Sequence, residues 1–294
     1  MYRLSIRRLT TIFLAAGGAA IILALSSFAH RLEPAAGFLK AGAPIDRARF
    51  EVTLFRFIVN HETWDDVLER DGKRDEVSFS RVAILHNRRT GSRVLSDGLN
   101  FTQTMGESPP NALRAGHASP TRGGLKTGDD VLLPPVMLFS EELIQGESAA
   151  TIIVSVWEMD GPQDLYVPYK LFLENYQPDM ERIALSTLRN SPQTSVLLRD
   201  WDNSFTGGGN GPTASVVVVG EGGLLGEAKD RPIGMIRQGN TYNFIPKLLI
   251  LNFDNANRAA QTNQGLGLGV IKINYTDDQK LAGDYTLFVR IRRV

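Results

Sequence analysis

The sequence contains no cysteine and only four histidines in 294 residues. The absence of cysteine excludes thiol catalysis and disulfide bonds, so packing has to stabilise the folded chain. None of the histidines belongs to a His-x-x-x-His pair or a His-Glu-x-x-His motif, so zinc hydrolysis is not expected. Lysine plus arginine and aspartate plus glutamate both number 32. This balance leaves no overall field to attract nucleic acid, and we expect no nucleic-acid partner.

The first 29 residues have the order of a secretory signal peptide. Three arginines within the first eight residues form a basic region, residues 12–25 carry no charge, and Ser27-Phe28-Ala29 supplies the small residues that a signal peptidase reads. We therefore expect an extracytoplasmic protein, secreted or periplasmic. Residues 9–29 also form an uncharged stretch of 21 residues, close to the length of about 20 that spans a membrane, so an uncleaved N-terminal anchor is the alternative.

The remainder of the chain is predicted to be all-β, because short β-branched and aromatic runs alternate with Gly, Pro and Asp. The predicted strands are Phe50 to Val59, Val77 to Leu85, Val131 to Phe139, Thr151 to Trp157, Ser195 to Leu198, Ser215 to Val219, Lys247 to Phe253, Leu268 to Tyr275 and Tyr285 to Ile291. In the last run, every second residue from Tyr285 is apolar, which predicts one buried face made of Tyr285, Leu287, Val289 and Ile291. Only residues 178–188 show helical spacing.

This pattern predicts two antiparallel β-sandwich domains with one short helix between them. The predicted divisions are a signal peptide or anchor over 1–29, a linker over 30–48, a first sandwich over 49–178, a helical connector over 179–192 and a second sandwich over 193–294. A single larger sandwich is the alternative.

Acidic residues are concentrated in two places that follow predicted strands. Seven carboxylates lie in the fifteen residues from Glu62 to Glu76. Glu158, Asp160 and Asp164 come directly after the strand that ends at Trp157. Loops at one end of an antiparallel sandwich meet in space although they are far apart in sequence, so these carboxylates are expected to converge. Ca²⁺ takes about six to eight oxygen ligands, which such converging loops can supply.

The spacing of these acids resembles that of C2-like domains over roughly residues 50–175. Asp65 and Asp71 are separated by five residues, and Glu158 and Asp160 occupy alternate positions, with Glu158 where the family pattern usually has Asp. The resemblance implies an antiparallel sandwich whose apical loops hold calcium.

Nine acidic residues are predicted calcium ligands. Asp65, Asp71, Asp160 and Asp164 are the main ligands of the first site, Asp66 and Glu158 are its further members, and Asp200, Asp202 and Asp230 form a candidate second site. No catalytic residue is predicted.

The function predicted from these observations is that of an exported calcium-dependent binding or structural module. Its partner would be a protein, a glycan or a membrane surface, and its oligomeric state is open. The alternative is an exported carbohydrate-active hydrolase that uses paired carboxylates, which would stand about 5–10 Å apart in an open groove. A structural envelope protein without a ligand is a third interpretation.

Export has a direct test in the N-terminus of the native protein. Because the small residues end at Ala29, N-terminal sequencing of the protein from its native envelope is expected to begin at or near His30. Intact Met1 in the membrane fraction would indicate the anchor instead, and recovery from the cytosol would contradict both forms of the prediction.

Overall fold

The computed structural model of the chain describes residues 45–63, 75–95, 102–106, 124–159, 178–188, 198–200, 230–238 and 241–294. These residues belong to one unit of the chain, Ile45–Val294. The predicted signal or anchor and most of the predicted linker lie outside the described residues. No helix in the described part of the chain is long and apolar enough to span a membrane.

Strands make up most of the described chain. They are β1 (Arg47–His61), β2 (Val77–Asn87), β3 (Gly91–Val94), β4 (Asp130–Ile144), β5 (Ser148–Met159), β6 (Leu198–Asp200), β7 (Asp230–Pro232), β8 (Met235–Gln238), β9 (Thr241–Phe244), β10 (Lys247–Asn252), β11 (Val270–Thr276) and β12 (Asp284–Arg293). Helix α1 covers residues 178–188 and helix α2 covers Phe253–Gln261.

The strands form two larger antiparallel sheets. The first sheet has the order β11-β12-β1-β4, and the second has the order β3-β2-β5-β10-β6, with β7 paired to β5. Strands β8 and β9 pair with each other as a separate hairpin. The prediction of an all-β chain with antiparallel sheets is therefore confirmed.

Strands from both predicted domains share the same sheets. In the first sheet, β1 pairs with β12, from Phe50 opposite Arg293 to His61 opposite Asp284. In the second sheet, β5 pairs with β10. The predicted division into two sandwiches is not confirmed, because the described strands on either side of it lie in a single unit.

The hydrophobic core lies between the inner faces of the two sheets. Phe57 of β1 and Phe79 of β2 come from opposite sheets, and their ring centroids are 5.1 Å apart. In β1, residues Phe50, Val52 and Leu54 are buried at alternate positions. A register irregularity after Leu54 shifts the alternation, and Phe57 then continues the buried face.

The prediction for the last strand is confirmed. Tyr285, Leu287, Val289 and Ile291 are fully buried and belong to the core. They face inward because side chains of a strand alternate between its two faces.

The outer face of β12 also carries a buried aromatic side chain. Phe288 is only 3% exposed although it belongs to this face. The Arg56 guanidinium lies 4.6 Å from its ring centroid and the Lys272 ammonium lies 5.7 Å from it. The long side chains of these cations cover the ring while their charges stay at the surface.

Helix α1 agrees with the prediction, whereas the prediction of a single helix is wrong. Ala184 and Leu188 of α1 pack on Ala149 of β5 in a small apolar cluster. A second helix, α2, begins at Phe253, where the predicted strand was expected to end. The Asn252 side chain accepts from the Asn255 backbone N–H at 2.9 Å, and the Asn255 side chain accepts from the Asn252 N–H at 2.8 Å. This reciprocal cap ends β10 and starts the helix.

The assignment of Leu287 to the buried face of β12 predicts how its replacement changes the free energy of unfolding. Replacing Leu287 by Ala removes buried methyl groups and leaves a cavity, so the free energy of unfolding should fall by about 2–5 kcal/mol. The control is Asn274→Ala on the exposed side of the neighbouring strand β11, which should change it by less than about 0.5 kcal/mol. Urea unfolding of both variants measures the difference. Equal effects would contradict the assigned inward face.

Candidate functional site

Seven strand ends meet at one end of the two sheets. β1, β5 and β11 finish there, and β2, β4, β7 and β12 begin there. The backbone N–H of Met159 donates to the carbonyl oxygen of Glu76 at 2.8 Å, which joins the end of β5 to the start of β2. In the first sheet, His61 at the end of β1 lies opposite Asp284 at the start of β12. We call this region the polar end, because carboxylates dominate it: Glu62, Asp75, Glu76, Asp129, Glu158, Asp277, Asp278 and Asp284.

The Asp75 carboxylate connects the two sheets at the polar end. It accepts hydrogen bonds from the Thr63 backbone N–H, at 2.9 and 3.0 Å to its two oxygens, and from the Thr63 hydroxyl at 3.0 Å. The Tyr285 hydroxyl of β12 donates to Asp75 Oδ2 at 2.5 Å. Asp75 is 1% exposed. A buried carboxylate is stable only when such donors replace the lost water, so these bonds are a condition of its burial.

A second buried carboxylate, Asp277, fixes the turn between β11 and β12 against the β7–β8 segment. Arg231 Nη1 lies 2.8 Å from Asp277 Oδ2, and the two side chains are 6% and 0% exposed. The backbone N–H groups of Gly234 and Met235 donate to Asp277 Oδ1 at 2.7 and 2.8 Å. Arg231 and the two amides supply the donors that replace the water lost when the Asp277 carboxylate is buried.

Gly283 lies between these two networks. A Cβ atom at this position would stand 2.6 Å from Asp277 Oδ2 and 2.9 Å from Thr63 Cγ2. Both distances are shorter than van der Waals contact, so the close packing of the Asp75 and Asp277 networks requires glycine here.

Glu158 is a predicted ligand whose side chain the structure describes. It is fully buried, and its Oε1 accepts from the Glu76 backbone N–H at 3.2 Å. Across the β5–β7 pair it lies opposite Arg231. Glu158 therefore joins the start of β2 to the strand that carries Arg231, within the polar end.

The other predicted ligands are located only in part. Asp65, Asp66, Asp71, Asp160, Asp164 and Asp202 lie outside the described residues. The backbone of Asp230 begins β7 opposite Met159, at the polar end. The backbone of Asp200 ends β6 opposite Lys247, whose neighbour Leu248 lies opposite Ile153. Asp200 and Asp230 are thus about 15–20 Å apart along the strand direction.

Within the described ranges, no group of three or more His, Asp or Glu side chains is placed to hold a metal ion. The described carboxylates of Asp75 and Asp277 accept hydrogen bonds from protein groups, as given above. The calcium site therefore stays a prediction about the acidic segments 64–74 and 160–164 that leave this end of the sheets.

An exposed ion pair borders the polar end. Arg56 donates to both oxygens of Asp130, at 2.7 and 2.5 Å. These hydrogen bonds lower the pKa of Asp130 and raise the pKa of Arg56. A carboxyl whose pKa is lowered by folding stabilises the fold above its unfolded pKa and loses that effect as the pH falls through its folded pKa. Both side chains are at least one third exposed, so the pair contributes no more than about 1 kcal/mol.

Sequence reasoning missed the roles of Arg231, Asp277 and Tyr285. Tyr285 was predicted only as a core residue, whereas its hydroxyl also binds Asp75, 210 residues away. Arg231 and Asp277 are separated by 46 residues. No local spacing signals such pairs, because they form only when the sheets assemble.

Comparisons of this chain with protein-family models, with curated proteins and with solved structures find no match. They do not test the C2-like resemblance, which stays a prediction.

Two arginine–carboxylate pairs allow a matched test of the buried network. Arg231→Met should lower the free energy of unfolding by about 3–5 kcal/mol, because it leaves the buried Asp277 charge without its cation. Arg292→Met breaks a pair of similar length, 2.7 Å to Glu51, but the Arg292 side chain is 57% exposed. The loss there should be below about 1 kcal/mol. Chemical unfolding of both variants measures the two losses, and similar losses would show that burial of Arg231 has no special role.

Proposed function

We propose that the protein is an exported, C2-like, calcium-dependent binding or structural module whose ion-binding loops leave the polar end. The observation that supports this proposal most directly is the meeting of the strand ends that border the two acidic segments. The Met159 N–H binds the carbonyl of Glu76, and the Glu158 side chain binds the Glu76 N–H. Asp160 therefore follows a residue that is hydrogen-bonded to the end of the first acidic segment.

The residues on either side of the first acidic segment lie next to each other at the polar end. Thr63 precedes residues 64–74 and Asp75 follows them, and the two border residues are joined by hydrogen bonds of 2.9–3.0 Å. The ends of the loop are thereby closed before any ion binds. Asp65 and Asp71 lie within this closed loop.

Because the two ends of the first acidic segment are already held together, less conformational entropy is lost when an ion site is assembled from its residues. Several carboxylates near one point repel each other, and an ion that neutralises them favours the folded state over the unfolded chain. Asp75 is itself bound to Thr63 and Tyr285, so in this proposal the ligands come from the acids within the two segments, Asp65, Asp71, Asp160 and Asp164. Bound calcium would then permit calcium-dependent attachment to a protein, a glycan or a membrane.

A calcium titration of the purified chain tests this proposal. At about 5 mM calcium and a Kd of about 10⁻⁴ M, one site adds about 2.3 kcal/mol to the free energy of unfolding. For the unit Ile45–Val294 the midpoint of thermal unfolding should rise by about 4–5 °C, measured by calorimetry. Magnesium should raise it less, because magnesium prefers a tight octahedron and keeps its waters.

Two double variants with the same change in charge make the test specific. Asp71→Asn with Asp160→Asn should abolish the calcium response and slightly raise the midpoint without calcium, because repulsion is relieved. The control, Asp46→Asn with Glu142→Gln, changes exposed acids at the opposite end of the sheets and should respond as the wild type does. A wild-type midpoint that does not move with calcium, or a response retained by the first variant, would overturn the proposal.

A further inference from the structure

Strand β11 (Val270–Thr276) is an outer strand of the first sheet. Among the described strands it pairs only with β12, and it does so over its whole length without a register shift. In such an antiparallel pair, the backbone groups of successive residues point alternately toward the partner strand and away from it. Every second residue of β11 therefore directs its N–H and C=O groups away from the sheet.

Hydrogen bonds at both ends of the pairing show which residues face β12. The Gly269 carbonyl accepts from the Ile291 N–H at 2.9 Å, and the Asp277 N–H donates to the Gly283 carbonyl at 2.7 Å. Residues 269 and 277 therefore face β12, and by alternation residues 271, 273 and 275 face it as well.

The N–H and C=O groups of Lys272, Asn274 and Thr276 consequently point away from β12. We call these backbone groups the open edge. No described residue forms a hydrogen bond with them, and all three side chains are exposed. A row of unpaired backbone groups on an outer strand is a template for pairing with a further strand.

The side chains near the start of the open edge are positively charged. Lys272 belongs to the edge itself, and Arg258 of α2 lines a pocket together with the neighbouring Ile271. Neither Lys272 nor Arg258 forms an ion pair with a described residue. Opposite charges on adjacent strands attract and like charges repel, so this edge disfavours a basic strand and favours an acidic one.

The pocket lies on the inner side of β11 and has a volume of about 140 Å³. Ile271 of β11 and Ala259 of α2 both line it, and both pack against the hydrophobic core. Lys272 projects from the outer side of the strand, where its ammonium lies 5.7 Å from the ring centroid of Phe288. A cavity of about 150 Å³ holds a benzene molecule, so the pocket has room for one apolar side chain.

We propose that the open edge binds an extended acidic segment of a partner protein as an additional strand of the first sheet. Residues directly opposite each other on neighbouring strands project from the same face. The partner residue opposite Lys272 would therefore be acidic, and the one opposite Ile271 would be apolar and enter the pocket. Backbone hydrogen bonds supply the affinity, and these two positions select the sequence. The pairing does not involve residues 64–74 or 160–164, so it is independent of the calcium proposal.

A synthetic peptide tests this site on the full chain. The peptide Thr-Val-Thr-Val-Glu-Leu-Glu, blocked at its C-terminus and labelled at its N-terminus, places its first glutamate opposite Lys272 and its leucine opposite Ile271 when it pairs antiparallel to β11. Fluorescence anisotropy should show saturable binding. The same peptide with lysine in place of both glutamates should bind at least about tenfold more weakly. No binding of the acidic peptide, or equal binding of the lysine peptide, would overturn the proposal.

Amide hydrogen exchange locates the peptide. Bound peptide should slow the exchange of the Lys272, Asn274 and Thr276 amides, because these N–H groups then donate to it. Binding that leaves the three amides unprotected would contradict pairing at the open edge.

Methylation of the peptide nitrogens tests the backbone pairing separately from the side chains. Methyl groups on the amides of the third and fifth residues, which would face β11, should weaken binding at least about tenfold. Methyl groups on the second and fourth amides, which would face away, should leave binding unchanged. Equal effects of the two methylated peptides would overturn the proposal.

An exchange of charge tests the role of Lys272. Lys272→Glu should weaken the acidic peptide at least about tenfold and strengthen the lysine peptide. The matched control, Lys280→Glu, makes the same change in charge in the turn between β11 and β12 and should bind both peptides as the wild type does. Unchanged affinities in Lys272→Glu, or an equal loss in the control, would overturn the proposal.

Two other occupants of the open edge would be recognised without any peptide. Protection of the three amides that increases with protein concentration, together with a dimer in sedimentation, would assign the edge to a second copy of the chain. Protection at every concentration would assign it to another part of the same chain. Either result would overturn the proposal.

Discussion

The buried Asp75 carboxylate is the interaction on which the polar end depends. It receives hydrogen bonds from Thr63, at the end of β1, and from Tyr285, at the start of β12, while its own residue leads into β2 of the other sheet. A carboxylate buried without such donors would be strongly destabilising, so the two sheets have to stay in register for it to remain satisfied. The two residues that border the acidic segment 64–74, Thr63 and Asp75, are joined by these hydrogen bonds.

The two ends of the sheets differ in chemistry as a result of where charges are buried and where they are exposed. At the polar end, Asp75, Glu158 and Asp277 are inside, bound to backbone amides, hydroxyls and Arg231. At the opposite end, the arginines of β12 remain at the surface beside the exposed Leu268. The buried carboxylates hold neighbouring segments of the polar end together, whereas the arginines of the opposite end are exposed to solvent. The two ends of the sheets therefore present different chemistry.

Patterns with a short period could be predicted from the sequence, and contacts between distant segments could not. The alternation from Tyr285 to Ile291 identified the inner face of β12, because period two follows from strand geometry alone. Helix α2 was missed since its asparagine-rich start is a poor helix former, and only the Asn252–Asn255 cap signals it. The Arg231–Asp277 pair has no local signal. The acidic segments were recognised as a group, but the roles of Asp75 and Glu158 as internal acceptors depend on burial that composition does not reveal.

The position of β1 between β4 and β12 has a kinetic consequence. One edge of β1 pairs with β12, which is distant in sequence, with Phe50 opposite Arg293, so the first sheet cannot be completed until residues 284–293 are present. Pairings over such a sequence separation are slow to form, because the loop entropy is lost before the contacts are gained. During synthesis, β1 can pair with β4 long before its other edge is covered. The emergence of residues 284–293, and not the appearance of β1, starts the final assembly of the sheet.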